Sequence, residues 1–156
     1  MAQPAFQRRR RGNAEVEDAS QGKLGPEFQD AGCLLISEVH LFFSRPGEMT
    51  GEREAGASGV AQKTKEYVDE FSRYKEQSTI REVRALLIKH AAQPDLDGST
   101  ADDKGLQLSQ FEMAQLANLA ISDVDEARTL IPTLANKDDA QLESLLNELA
   151  AIRKFA

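Results

Sequence analysis

The side chains in this sequence that could do chemistry are few and scattered. There are two histidines, His40 and His90, and one cysteine, Cys33. A structural zinc site needs four closely placed nitrogen or sulfur ligands, and residues this few in separate segments cannot supply them. His40 has no Cys, Asp or His four residues on, so it reads as a packed or solvent-tipped side chain. Cys33 has no basic neighbour to lower its pKa and reads as a small buried hydrophobe. Asp95, Asp97 and Ser99 alternate like the opening of a calcium loop. The pattern then fails: such a loop wants glycine at its sixth place and glutamate at its twelfth, where Thr100 and Leu106 stand. Signatures for a nucleophile elbow, a phosphate loop and a dinucleotide site are missing. No carboxylate pair lies in a stretch that reads as a cleft. The expectation is a non-enzyme with no cofactor and no metal, whose function is carried by surfaces.

Charge describes those surfaces. Arg8, Arg9, Arg10 and Arg11 form a basic run that could act in nuclear import or touch phosphate or an acidic protein surface. The competing reading is a solvated tail. Over the whole chain of 156 residues the net charge is −7, which argues against a dedicated nucleic-acid binder. Tyr67, Phe71 and Tyr74 could stack bases, but their helical spacing fits a core better. No apolar run is long enough for a membrane span, and no secretory signal is expected. A single cysteine fits a reducing compartment.

The elements that must carry these surfaces are mostly helices. Residues 1–13 read as a disordered basic tail. Residues 14–43 read as a partner-binding segment. In it Leu24, Pro26 and Phe28 lie on an extended stretch, where proline and glycines oppose helix. A lone strand leaves its backbone groups unpaired, so it would add to another protein's sheet or pack as a loop on the local core. Residues 31–43 read as a short helix that is apolar nearly all round. Leu35, Val39 and Phe42 share one face, and Leu34 and Leu41 widen it. Such a helix needs cover on several sides, a second hint of a partner. Residues 44–59 are a glycine-rich linker, and 93–107 an acidic loop.

Residues 60–156 read as a helical bundle. The first helix, 60–76, carries Val60, Thr64, Tyr67, Val68, Phe71 and Tyr74 at helical spacing on one face. Thr79 with Glu82 and Ser109 with Glu112 read as capping boxes. The first opens a helix that buries Ile80, Val83, Leu86, Leu87 and Ala91 and ends near His90; the second buries Met113, Leu116, Ala117 and Ala120. Ser122 or Asp123 opens the next helix, with Val124, Ala127, Leu130 and Ile131 inward and Pro132 as its stop. Asp138 caps a last helix with a stripe of Leu142, Leu145, Leu146, Leu149 and Ile152, and Phe155 is expected to fold back onto the bundle.

The wording of these helices is specific. F-E-x-A-x-L-x-N-L (Phe111 to Leu119) and D-E-A-x-x-L-I-P-x-L (Asp125 to Leu134) resemble the fourth-subunit family of eukaryotic RNA polymerase II. K-L-G-P-E-F (Lys23 to Phe28), L-x-x-S-E-V-H (Leu34 to His40), F-S-R-Y-K (Phe71 to Lys75), R-E-V-R-x-L-L (Arg81 to Leu87) and L-x-E-L-x-x-I-R-K-F (Leu146 to Phe155) are similar to further blocks of that family, in the same order. The resemblance implies a mainly α fold: an N-terminal segment and helix that pack on a partner, then a bundle related to the HRDC domain of RecQ-type helicases. It implies a nuclear, non-catalytic polymerase subunit that forms the stalk heterodimer with the seventh subunit. That pair lies near the RNA exit path, supports initiation and recruits factors, with at most indirect contact to nascent RNA. The implied partner surface is Leu24, Pro26, Phe28, Leu34, Leu35, Val39 and Phe42, with Arg8–Arg11 as a nucleic-acid or polymerase-core contact. Linker 44–59 and loop 93–107 depart from the compact family pattern. The alternatives are a stand-alone HRDC-like nucleic-acid module and a paralogous stalk subunit of another RNA polymerase. The former would use Arg8–Arg11 and the bases of helix 60–76, although acids outnumber bases over residues 109–156.

Overall fold

The computed structural model describes residues 17–28, 31–44, 59–92 and 105–154. The chain divides into two units, Met1–Ala31 and Gly32–Ala156. Arg8–Arg11, most of linker 44–59, the calcium-like residues Asp95, Asp97 and Ser99, and Phe155 lie outside the described residues.

In the first unit the expected extended segment is broken by turns. Asp18 accepts from the Ser20 N–H and caps a single 3-10 turn, Ala19–Gln21, which Gly22 ends at φ 70°. Asp18 and Lys23 then pair antiparallel through two backbone hydrogen bonds of 2.8 and 3.0 Å. Gly25 stands at φ +95°, where a Cβ would be strained and would meet the Glu17 carboxylate at 3.2 Å. A second 3-10 turn follows at Pro26–Phe28, closed by the Phe28 N–H on the Gly25 carbonyl. Proline fixes the φ that starts such a turn. Part of the backbone demand assigned to a partner's sheet is therefore met locally.

The second unit contains α1 (Ile36–Ser44), α2 (Gly59–Phe71), α3 (Gln77–Lys89), α4 (Gln110–Leu119), α5 (Val124–Leu130) and α6 (Asp139–Lys154). A 3-10 turn, Pro132–Asn136, joins the last two. The expected mainly α architecture is what the described residues form. Val83, Leu87, Met113, Ala127, Leu134, Leu142 and Leu145 are wholly buried at its centre.

Local sequence explains most helix starts. Ser109 accepts from the Glu112 N–H while Glu112 reaches back to the Ser109 N–H, the reciprocal capping box. Asp123 rather than Ser122 caps α5, and the Ser122 N–H is taken by Glu126 at 2.8 Å. Asp138 accepts from the Gln141 N–H at 2.9 Å at the head of α6. The neck of the acidic loop is closed by a parallel pairing of Ala91 with Leu108: the Leu108 N–H donates to the His90 carbonyl at 2.7 Å, and the Ala92 N–H to the Leu108 carbonyl at 2.8 Å.

Several expectations fail for tertiary reasons. α1 begins at Ile36, not 31, because Glu38 accepts from the Leu35 N–H and sets the first turn there. α2 stops at Phe71, and Tyr74 reaches the core from the following loop, its N–H held by buried Ser37 Oγ at 3.0 Å. Val60, Tyr67 and Phe71 are exposed; of the expected stripe only Val68 is buried within α2 itself, Tyr74 being buried from the loop. α3 begins at Gln77, so Thr79 lies inside its first turn and forms no capping box with Glu82. Ala91 is half-buried rather than core, and Leu130 points outward with 52% exposure. Ala120 is the left-handed C-cap of α4 at φ 56°, a half-exposed position beyond the buried stripe.

Candidate functional site

A groove of about 420 Å³ runs between α1 and α3. Leu34, Leu41 and Phe42 line it from α1 and the residues before it; Ile80, Ala85 and Ile88 line it from α3. Glu38, Gln77, Arg81 and Arg84 supply its polar groups. Leu34, Phe42 and Ile88 are each half or more exposed, although all are large and apolar. Apolar side chains gathered on one open surface mark a binding site more often than a lone exposed leucine does.

The two helices that form the groove are tied by one fork. Arg84 Nε donates to Glu38 Oε1 at 2.8 Å, and Arg84 Nη2 donates to Glu38 Oε2. The same Nη2 donates to the Cys33 carbonyl at 3.0 Å, and Glu38 Oε2 also accepts from the Leu35 N–H at 2.8 Å. Burial opposes ionisation of Glu38, but the Arg84 hydrogen bonds and the Leu35 N–H outweigh it and hold the carboxyl below its ordinary range. The ion pair fixes α1 against α3 at one register and leaves the apolar walls free.

The expected partner residues divide. Leu34 and Phe42 are brought together in the groove. Leu35 is 1% exposed and belongs to the chain's own core, so it offers no free surface. Val39 is half-buried and does not line the groove. Leu24 is half-buried, whereas Pro26 and Phe28 are exposed; all three lie in the first unit. Gln77, Arg81, Arg84, Ala85 and Ile88 are site residues that periodicity did not pick out, while Ile80, expected in the core and buried there, also lines the groove. One signal was present: Ile88 is apolar but off the buried stripe of Ile80, Val83 and Leu87, the mark of a second apolar face.

The chemistry-bearing residues do not converge. His40 Nδ1 pairs with Asp69 at 2.9 Å across α1 and α2. His90 sits at the end of α3, its Nδ1 buried without a hydrogen-bond partner among the described residues; burial pushes its pKa down, partly countered by Glu148. Among the described residues no three His, Cys, Asp or Glu side chains are grouped to hold a metal ion. The groove is walled by apolar side chains, with Glu38, Gln77, Arg81 and Arg84 as its polar groups.

Comparison with known proteins bears on what docks there. The sequence pattern of the family described as RNA polymerase Rpb4 matches residues 8–153. DNA-directed RNA polymerase II subunit 4 of Arabidopsis thaliana is 33% identical, covering 90% of this chain and 96% of its own length. DNA-directed RNA polymerase II subunit rpb4 of Schizosaccharomyces pombe is 37% identical over 89% of this chain and 93% of its own length. The protein of the same name from Dictyostelium discoideum is 32% identical over 94% of this chain and 96% of its own. The helices that build the groove, the capping box that starts α4 and the Asp123 cap of α5 all fall inside the matched span, and the chain belongs to the RNA polymerase Rpb4 family.

Proposed function

We propose that this chain is the smaller member of a two-protein stalk on RNA polymerase II, paired with the polymerase's seventh subunit. It acts in the nucleus as a non-catalytic accessory subunit. It supports initiation and the recruitment of factors near the RNA exit path. Family membership supports its place in the polymerase. The observation that carries the pairing is the α1–α3 groove: Leu34, Phe42 and Ile88 remain exposed on a unit whose own core is already filled. A partner segment with apolar side chains at helical or alternate spacing would bury them. Among the described residues no helix is long and apolar enough to cross a membrane.

The test is coexpression of the tagged chain with the seventh subunit from the same source, followed by size-exclusion chromatography with light scattering. A one-to-one complex is expected. Separate monomers would remove the stalk reading; binding of the isolated chain to RNA with steep salt dependence would then favour the HRDC-like nucleic-acid module. Leu35 is unsuitable as an interface probe, because a charge there would unfold the core rather than block a surface.

A further inference from the structure

α2 is held to its unit mainly through one neighbouring helix, α1. Of its residues only Val68 is buried, and Val68 lies outside the main hydrophobic cluster. The helix packs chiefly on α1. A side-chain tie between them is His40 Nδ1 with Asp69 Oδ1 at 2.9 Å, and Ser44 Oγ approaches His40 Nε2 at 3.3 Å. Asp69 Oδ1 accepts from the ring where Nδ1 carries a proton. A helix of this length is marginal in water without tertiary packing, and here that packing comes chiefly from a single neighbouring helix, with Val68 as its one fully buried side chain.

The C-terminal exit of α2 is the opposite case. Tyr74 is 2% exposed, belongs to the main cluster and has its N–H on Ser37 Oγ. Arg73 Nε donates to the Asn118 carbonyl of α4 at 3.4 Å. The chain is therefore firmly fixed just beyond the helix and weakly fixed along it.

We propose that α2 is a hinged arm that leaves α1 as one cooperative unit, with Tyr74 as its fixed end and the His40–Asp69 pair as its latch. Opening uncovers the side of α1 that meets α2. Phe43, half-buried in the closed state, stands three residues from His40 and shares that side. The exposed pair Tyr67 and Phe71, ring centroids 4.6 Å apart, travels with the arm.

The experiment is native-state hydrogen exchange by mass spectrometry on the full chain at one pH, with Asp69→Asn and Val68→Ala as variants. Amides in the middle of α2 are expected to exchange about 100-fold faster than those of α3 and α6, by sub-global opening. Asp69→Asn and Val68→Ala should each accelerate α2 further and leave α3, α4 and α6 unchanged. Exchange of α2 at the rate of α6 would overturn the proposal. So would an Asp69→Asn chain in which α2 is unaffected, or one in which every helix is accelerated equally.

Discussion

Glu38 and Arg84 stand 46 residues apart in sequence and meet through paired hydrogen bonds, one of them 2.8 Å, that lock α1 onto α3. Their side chains are only 17% and 20% exposed, so solvent screens the pair weakly. Replacing Glu38 with Gln keeps the shape, loses the charge-assisted bonds and should cost about 2 kcal/mol in urea unfolding.

The same pair sets an acid limb. Because the folded pKa of Glu38 lies below its ordinary 4.5, its contribution is present above that value and is lost as pH falls through the folded pKa. Glu38→Gln should therefore flatten the stability curve below about pH 4.5. An unchanged acid limb would mean that other carboxylates carry it.

His90 works in a different window. Its folded pKa lies below the ordinary 6.5, first through burial, so proton uptake favours the unfolded chain. Stability is full above about pH 6.5 and declines as pH falls from there through the folded pKa. Glu148 raises that pKa and moderates the effect, whereas Lys89 lowers it further and adds to burial. His90→Gln should remove the decline between pH 6.5 and the Glu38 limb; melting temperatures across that range decide it.

Ala120 is a C-cap in the left-handed region at φ 56°. An alanine Cβ there costs roughly 1–2 kcal/mol, partly offset by the lower entropy of its unfolded state. Ala120→Gly should stabilise the chain by about 0.5–1 kcal/mol. A destabilised variant in chemical denaturation would contradict this.

What could be read from the sequence was what is local. Ser109 with Glu112, Asp123 and Asp138 are capping signals complete within a few residues, and the structure uses each of them. Periodicity also placed Leu142, Leu145 and Leu146 inside α6. It could not tell which face of α2 or α1 would find cover, because that depends on helices distant in the chain. Tyr67 and Phe71 keep helical spacing yet stay exposed, since α2 lies at the margin of the unit. Leu34 and Leu35 are chemically alike and adjacent, but one lines the groove and the other fills the core. Thr79 and Glu82 matched a capping pattern, yet α3 had already begun two residues earlier at Gln77. The groove became visible only when α3 was laid beside α1.

The most direct test of the stalk reading is light scattering of the chain coexpressed with the seventh subunit, wild type against the double variant Phe42→Asp with Ile88→Asp. Both residues are half exposed, so the variant should keep its helical circular dichroism and its melting point. If the α1–α3 groove seats the partner, wild type elutes as a one-to-one complex and the variant binds at least about 30-fold more weakly. A folded variant that still forms the complex with wild-type affinity would place the partner elsewhere on the chain.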